Sequence, residues 1–495
     1  MNIISVDLGT SSVRAAIVND SLEILYQESL TVSLVTDSEG KAEQDADEIL
    51  SSAVICIQKV LSWSQENQHS IDGLSFSNAV ASLVCLDADF TPSCTVFTYA
   101  DLRSFKESKY LINSYGKDFF IHTATPMHAS YWLPKLLWLK NSGYDFSNFL
   151  YFCTLKDLLV YKITGQFITD YSNAVATGLC NIKNGRWDGK LLEIAGIKIG
   201  QLPEILPTTA VIKIKNSHSE SITLPEGISV TLGAIDGVLS SLGAGAYKPG
   251  QVTTMLGSSG ACRVASKSPL TNPESYGIWS YPLEEEIWIC GGAMNSGGLV
   301  TKWLVDNFSN SQTADEKSFD TLFEQAQDVS IGADNLLFLP FLFGERAPIY
   351  NENARGVYFG LHSKHTIHHM ARAGLEGILF VLYSIFKQLQ INQTKEIEIR
   401  ATGGYIRSEL MLQIQADMFG LPILVPANYE GSIIGAAALA LKSLSHINDY
   451  DHFFTHKTIE TEYLPNPINH KQYQKEFLRF QKLYSALDPL FYTLF

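Results

Sequence analysis

Several things are scarce in this 495-residue chain, and each scarcity excludes a class of protein. There are only seven cysteines, at positions 56, 85, 94, 153, 180, 262 and 290, and no two form a Cys-x-x-Cys pair. That spacing argues against a zinc knuckle or a disulfide framework and predicts reduced, mostly structural thiols. Positive charge is short as well, with 36 Lys and Arg against 51 Asp and Glu, a net charge of −15. No broad basic face is expected, so neither nucleic acid nor an anionic membrane is an expected partner. The apolar run Leu336 to Phe343 is too short to span a bilayer. The first residues lead straight into Ile3-Ile4-Ser5-Val6-Asp7, without a basic region or a cleavage site. These features predict a cytoplasmic protein. With 46% hydrophobic and 18% charged residues, the composition is that of a globular chain, long enough for more than one core.

The first thirty residues read as an antiparallel meander. Short apolar segments at Ile3–Asp7, Val13–Val18 and Ile24–Val32 are separated by Gly9-Thr10-Ser11-Ser12 and Asn19-Asp20. Ile49, Leu50, Val54, Ile57, Val60 and Leu61 then recur at helical spacing. Strands are expected at Gly73–Ser77 and Ser82–Leu86, and helices at Trp132–Lys140 and Leu155–Ile163. Half a chain later the opening vocabulary returns: Val252–Leu256, the turn Gly257-Ser258-Ser259-Gly260, then Ala261–Ala265. This predicts an internal duplication of two related α/β domains, each opening with a glycine–hydroxyl hairpin, divided near Lys248-Pro249-Gly250.

Four places carry candidate chemistry. In the first hairpin, Gly9 lets the backbone approach an anion, and Thr10, Ser11 and Ser12 offer hydroxyl donors beside the fixed charge of Arg14. Asp7, ending the strand, is suited to a hydrated Mg²⁺; the same residues also make a plain β-turn with a capping Asp. The second hairpin, Gly257, Ser258 and Ser259, has Met255 in place of that carboxylate, which suits a single metal-bound nucleotide. Asp236, flanked by glycine in Gly233-Ala234-Ile235-Asp236-Gly237, is either a base for an alcohol or a helix cap. Gly403 and Gly404, after a strand at Ile397–Thr402, offer a flat surface for a purine or a helix-packing contact. Asp101 and Arg103, after a strand at Cys94–Tyr99, read a sugar's hydroxyls or carboxylate, or else form a surface ion pair, and Glu345 and Arg346 have the same two readings. His122, His128 and the His362–His369 group show no metal spacing and are expected to be structural or surface residues.

Taken together and in order, Asp7-Leu-Gly-Thr-Ser-Ser, Gly233-Ala-Ile-Asp236-Gly, Leu256-Gly-Ser-Ser-Gly260 and Thr402-Gly-Gly404 resemble the FGGY carbohydrate kinases. The resemblance runs over residues 1 to 440. It is strongest to the gluconokinase-like branch, through Thr98–Arg103, Lys135–Lys140, Gly291–Asn295 and Gly344–Pro348. It implies a duplicated actin-like ATPase fold of the ribonuclease H-like class, two domains with a cleft between them where ATP and sugar would meet. Residues 1–247 would form the sugar-binding N-terminal domain, 248–445 the C-terminal domain with the adenosine site, and 446–495 a helical tail packed on the second domain. Asp236 would be the catalytic base and touch the substrate, and Asp7 would act on Mg²⁺. Both hairpins would hold ATP phosphates, and Gly403 and Gly404 would line the adenosine.

The resemblance has departures. Where the family often carries Gln-Met-His, this chain has Ala79-Val80-Ala81, which bears on the substrate, and Gly374 replaces a small β-branched residue. The expected activity is ATP-dependent phosphorylation of gluconate, with xylulose or another ketose or polyol next. A sugar-responsive regulator without catalysis and an actin-like polymerising or chaperone ATPase are the alternatives of another class. A homodimer is the assembly considered.

Overall fold

The computed structural model describes residues 1–116, 118–214, 224–225, 227–272, 276–308, 316–389, 397–427, 430–454 and 459–494. The chain forms two compact units. Unit 1 comprises Met1–Tyr247, Lys267–Ile289 and Glu430–Thr455; unit 2 comprises Lys248–Ser266, Cys290–Tyr429 and His456–Phe495. The expected three consecutive blocks therefore need correction after the first. Residues 267–289 and 430–455 pack with the N-terminal unit, because helix Gly431–Ser443 lies on strands Asn2–Leu8 and Gly73–Asn78 and on helix Asp236–Gly243.

Unit 1 is built on a six-stranded sheet in the order Val211–Lys213, Ser229–Ile235, Gly73–Asn78, Asn2–Leu8, Ser12–Asn19, Ile24–Thr31. The last three form the expected antiparallel meander, while Asn2–Leu8 runs parallel to Gly73–Asn78, and that strand parallel to Ser229–Ile235. Strand alternation presents Ile4, Val6 and Leu8 to one core, where they meet the helical stripe Ile49, Ala53, Cys56, Ile57 and Val60 of helix Ala46–Glu66. Asp45 starts that helix by accepting from the amides of Asp47 and Glu48.

Unit 2 repeats the plan. Gln251–Leu256 pairs antiparallel with Gly260–Ser266 and parallel with Glu398–Thr402; Glu398–Thr402 is parallel to Ile423–Pro426, and Ile423–Pro426 antiparallel to Ile459–Tyr463. Strand for strand and direction for direction, this matches the first five strands of the unit 1 order. The expected tail is therefore divided: Ile459–Tyr463 completes the second sheet, and helix Pro467–Leu494 packs on helix Glu409–Phe419. One described helix, Ile367–Leu389, is long and apolar enough to cross a membrane, and 83% of its most apolar stretch is buried in the protein. Gly374 has a packing reason there, since a Cβ would come within 2.5 Å of Leu304 Cδ1.

Behind the strand ends of unit 1 lies a wholly buried ion pair between Lys156 and Asp170. Asp170 also accepts from the amide and side chain of Asn173 at 2.9 and 2.6 Å. Lys156 donates to the Leu232 carbonyl at 3.2 Å, and Asn173 and Asn78 exchange side-chain hydrogen bonds at 2.9 Å each way. The network ties two helix starts to the strands that end at Asn78 and Ile235. Removing one charge leaves the other buried and uncompensated. Lys156→Met is therefore expected to lower the unfolding free energy by about 3–5 kcal/mol in denaturant titrations, and Lys156→Met with Asp170→Leu to recover most of it. A single variant as stable as the parent would remove the pair as an anchor.

Candidate active site

The end of strand Asn2–Leu8 sets the first half of the site. Asp7 lies opposite Arg14 in the antiparallel register, so the guanidinium falls on the carboxylate. Arg14 donates to Asp7 Oδ2 at 2.5 Å and also bonds Glu430, while the Ser432 hydroxyl donates to the same Asp7 oxygen at 3.2 Å. Asp7 is 3% exposed, and its other oxygen has no partner among the described residues. A buried, half-satisfied carboxylate at a strand end fits a divalent ion that keeps most of its waters. Arg14, expected to face phosphate, instead neutralises two carboxylates.

In the adjoining turn, Gly9 donates to the Ser12 carbonyl at 3.0 Å. Among the described residues the amides of Thr10 and Ser11 donate to no protein group, and neither do those of Ser258 and Ser259 in the second hairpin. Two consecutive amides of this kind at each turn are suited to anionic oxygens.

Asp236 begins helix Asp236–Gly243 and is half-buried. Ile235, not Asp236, occupies the cap position, and Asp236 Oδ1 accepts from the Gly237 amide at 2.6 Å. The strand leading to it is irregular between Thr231 and Ala234. Gly233 sits there at φ +78°, where a Cβ would lie 1.8 Å from the Phe76 carbonyl oxygen. Only glycine permits that bulge, which re-aims the strand end carrying the carboxylate. Ile235 is in register with Asn78, so the chain beyond Asn78 borders the Asp236 end of the sheet. There Ala79, Val80, Ser82, Thr98, Asn78 and Thr10 line a narrow recess whose lining holds no charged side chain.

Unit 2 contributes a pocket of about 560 Å³. It joins Gly257 and Ser258 of the second hairpin to Gly404, with Lys302, Arg407 and Phe323 on its walls. The two glycines of the pair differ. Gly403, at φ +89°, would place a Cβ 2.6 Å from the Leu256 carbonyl oxygen, whereas a Cβ on Gly404 would meet nothing within 4 Å. Gly403 allows strand-end backbones to touch, and Gly404 leaves the pocket open. Helix Gly298–Phe308 closes against the hairpin, with Gly298 donating to the Gly257 carbonyl at 2.6 Å and Leu299 to that of Ser258 at 3.0 Å. The pocket's volume lies in the range of small-ligand sites.

The duplicated hairpins, the re-aimed Asp236 and the glycine-walled pocket coincide with a whole-chain match. The N-terminal domain of the FGGY family of carbohydrate kinases matches residues 2–243 and its C-terminal domain residues 252–444. This chain belongs to the FGGY family. It is a carbohydrate kinase, and its architecture is the duplicated actin-like ATPase fold. A gluconokinase of Bacillus licheniformis is 33% identical over 98% of this chain and 96% of that protein. Among solved structures, a ligand-bound xylulose kinase from Lactobacillus acidophilus superposes with a TM-score of 0.93 at 31% identity, covering 100% of both chains. A gluconate kinase from Lactobacillus acidophilus superposes at 0.91 with 31% identity, covering 98% of each.

Asp101 and Arg103 form an ion pair with each other, and it is not an exposed one. Asp101 is 2% exposed, accepts from the Ala42 amide at 3.0 Å, and takes Arg103 Nε on both oxygens at 3.1 Å. Arg103 also bonds Glu43 and lies 4.4 Å over the Trp138 ring. The expected strand before them shrinks to Val96–Phe97, which pairs antiparallel with Glu43 and Gln44. Glu345 accepts from three amides and is likewise occupied. The histidines form no metal cluster among the described residues. All seven cysteines are free thiols. Lys302, Arg407 and Ser432 escaped the sequence reading, because each is a single polar residue in a helical or loop segment with no spacing signal.

Beneath this cluster Lys135 is wholly buried, donating to the carbonyls of Asp101 at 3.1 Å and Ala129 at 2.5 Å. Burial pulls its pKa down to about 7 against the opposing pull of Asp101. Unfolded lysine stays protonated to about pH 10.4. Between those values unfolding takes up a proton, so stability rises with pH, by at most about 1.4 kcal/mol per unit, and the cost of the buried charge is fully present below pH 7. Lys135→Met is expected to flatten that rise in denaturant titrations between about pH 7 and 9.5. Equal slopes in both proteins would show that the amine is not depressed.

Proposed function

We propose that this kinase transfers the γ-phosphoryl group of ATP to a terminal hydroxyl of gluconate, giving 6-phosphogluconate. The observation that carries the choice of substrate is the 33% identity to a gluconokinase along nearly the whole of both chains. Asp236 is the proposed base: it takes the hydroxyl proton as the oxygen attacks phosphorus. Its half-buried position at a bulged strand end supports this role, as does its place at the start of a helix without acting as the cap. The hairpin amides of Thr10, Ser11, Ser258 and Ser259 bind phosphate oxygens, and the pocket between Gly257 and Gly404 takes the adenosine. Mg²⁺ bound through Asp7 would balance the charge of the polyphosphate. Arg14 holds Asp7 fixed, with Glu430 and Ser432 holding the pair in place.

One observation favours a second substrate, a ketose such as xylulose. Arg103, the cation expected to meet a substrate carboxylate, is already engaged by two carboxylates of this chain, Asp101 and Glu43. A coupled ATP assay across aldonates, ketoses and polyols decides between them. Gluconate turnover well above the rest is expected, and rapid turnover of a ketose with none of gluconate would overturn the assignment.

Two substitutions test the roles. Asp236→Asn is expected to lower kcat by about 10²–10⁴-fold while ADP still binds, and near-parental rates would sink the base assignment. Asp7→Ala is expected to raise the magnesium concentration needed for half-maximal rate, and an unchanged magnesium dependence would count against it.

A further inference from the structure

Glu345 is a buried carboxylate that lines no part of the nucleotide pocket and yet is fully occupied. Its Oε1 accepts from the amides of Asn295 at 2.5 Å and Arg346 at 2.8 Å, and its Oε2 from the amide of Ser296 at 3.2 Å. Arg346 grips the same turn from the other side, donating to the Asn295 side chain at 2.8 Å and the Met294 carbonyl at 3.3 Å. The Ser296 hydroxyl donates to the Pro340 carbonyl at 3.0 Å. The next two residues are Gly297 and Gly298, and Gly298 closes on the Gly257 carbonyl. A Cβ at Gly298 would lie 2.4 Å from that oxygen, so the contact tolerates almost no displacement.

The clamp is anchored in turn. Glu345 and Asn351 exchange backbone hydrogen bonds at 2.9 Å, and the Asn351 side chain donates to Asp488 on the C-terminal helix at 2.9 Å. Burial raises the Glu345 carboxyl's affinity for its proton, opposed by these amides and by Arg346. Desolvating a carboxylate to hold three amides is costly unless their placement matters.

We propose that Glu345 is a positioning residue for nucleotide binding: it fixes the Asn295–Ser296 turn, and through it the start of helix Gly298–Phe308 against the Gly257–Ser258 hairpin. It does so without touching the nucleotide. The inference rests on the reading of the unit 2 pocket as the adenosine and phosphate site. A pre-set hairpin spares the ordering cost that a loose one would incur on binding.

The test uses the full chain, with ADP as the probe in calorimetry, alongside steady-state kinetics and thermal unfolding. Glu345→Gln keeps the shape but turns one acceptor into a donor facing an amide. It is expected to weaken ADP binding by about tenfold, the size of one lost charge-assisted hydrogen bond, while the KM for sugar changes by less than about twofold. A general loss of structure would instead move both. Gly404→Leu, which fills open pocket space, is the control for the underlying reading and is expected to abolish ADP binding.

If Gly404→Leu abolishes binding and folded Glu345→Gln binds ADP as the parent does, the positioning role is overturned and the pocket stands. If Gly404→Leu binds normally, the pocket reading fails and Glu345 has nothing to act through. If Glu345→Gln does not fold, Arg346→Lys carries the test, since it keeps the charge but loses the fork on Asn295 and Met294. A selective weakening of ADP binding supports the proposal, and unchanged affinity overturns it.

Discussion

The buried pair of Lys156 and Asp170 is the constraint on which the strand ends of unit 1 depend. Two opposite charges with no exposure are stable only when every remaining lone pair and proton is used. Here the spare donors and acceptors go to the Leu232 carbonyl, to Asn173 and, through it, to Asn78. Those are the groups just before the Gly233 bulge and at the end of the neighbouring strand. The direction in which Asp236 leaves the sheet is therefore fixed from behind by polar contacts. An apolar core alone would let the strand ends slide, because dispersion has little directional preference.

Unit 2 solves the corresponding problem differently. Backbone meets backbone instead, with Gly403 against Leu256 and Gly298 against Gly257. The polar fixing comes from the side, through Glu345 and the turn it holds. The same strand plan thus supports two kinds of anchoring. On the proposed roles, a base aimed at one hydroxyl calls for a directional network. A polyphosphate is held by many amides at once, which calls for a closely fitted loop.

The legible parts of the site were those that backbone geometry writes into local sequence. A glycine with hydroxyl residues between two apolar runs marks a hairpin, and an acid flanked by glycine after an apolar run marks a strand end, though the bulge at Gly233 was not legible. Both hairpins and the strand ends before Asp236 and Gly403 could be seen this way. The roles of Asp101 and Arg103 were not legible. Glu43 and Trp138, which saturate them, come from distant segments, and no spacing records that meeting. The pairing of Arg14 with Glu430 and of Asp7 with Ser432 spans most of the chain and is equally silent in sequence. Ile459–Tyr463 was readable, since Ile-Glu-Thr-Glu-Tyr alternates like a strand; the aromatic-rich helix after it drew the reading away.

A net charge of −15 and an anionic nucleotide are compatible only if the field near the site departs from the field of the whole molecule. The structure shows how little cationic charge that takes. Arg14 and Arg103 are each shared between two carboxylates and contribute little net attraction. The amides of Thr10, Ser11, Ser258 and Ser259 are neutral dipoles, while the cations at the unit 2 pocket wall are Arg407 and Lys302, the latter paired with Asp306 at 2.8 Å. Such donors act at short range and are fixed before the ligand arrives, so a dispersed negative charge elsewhere does not cancel them. On this view the acidic surface and the anion-binding interior answer different physical demands, one set by solvent screening at long range and the other by hydrogen-bond geometry at contact.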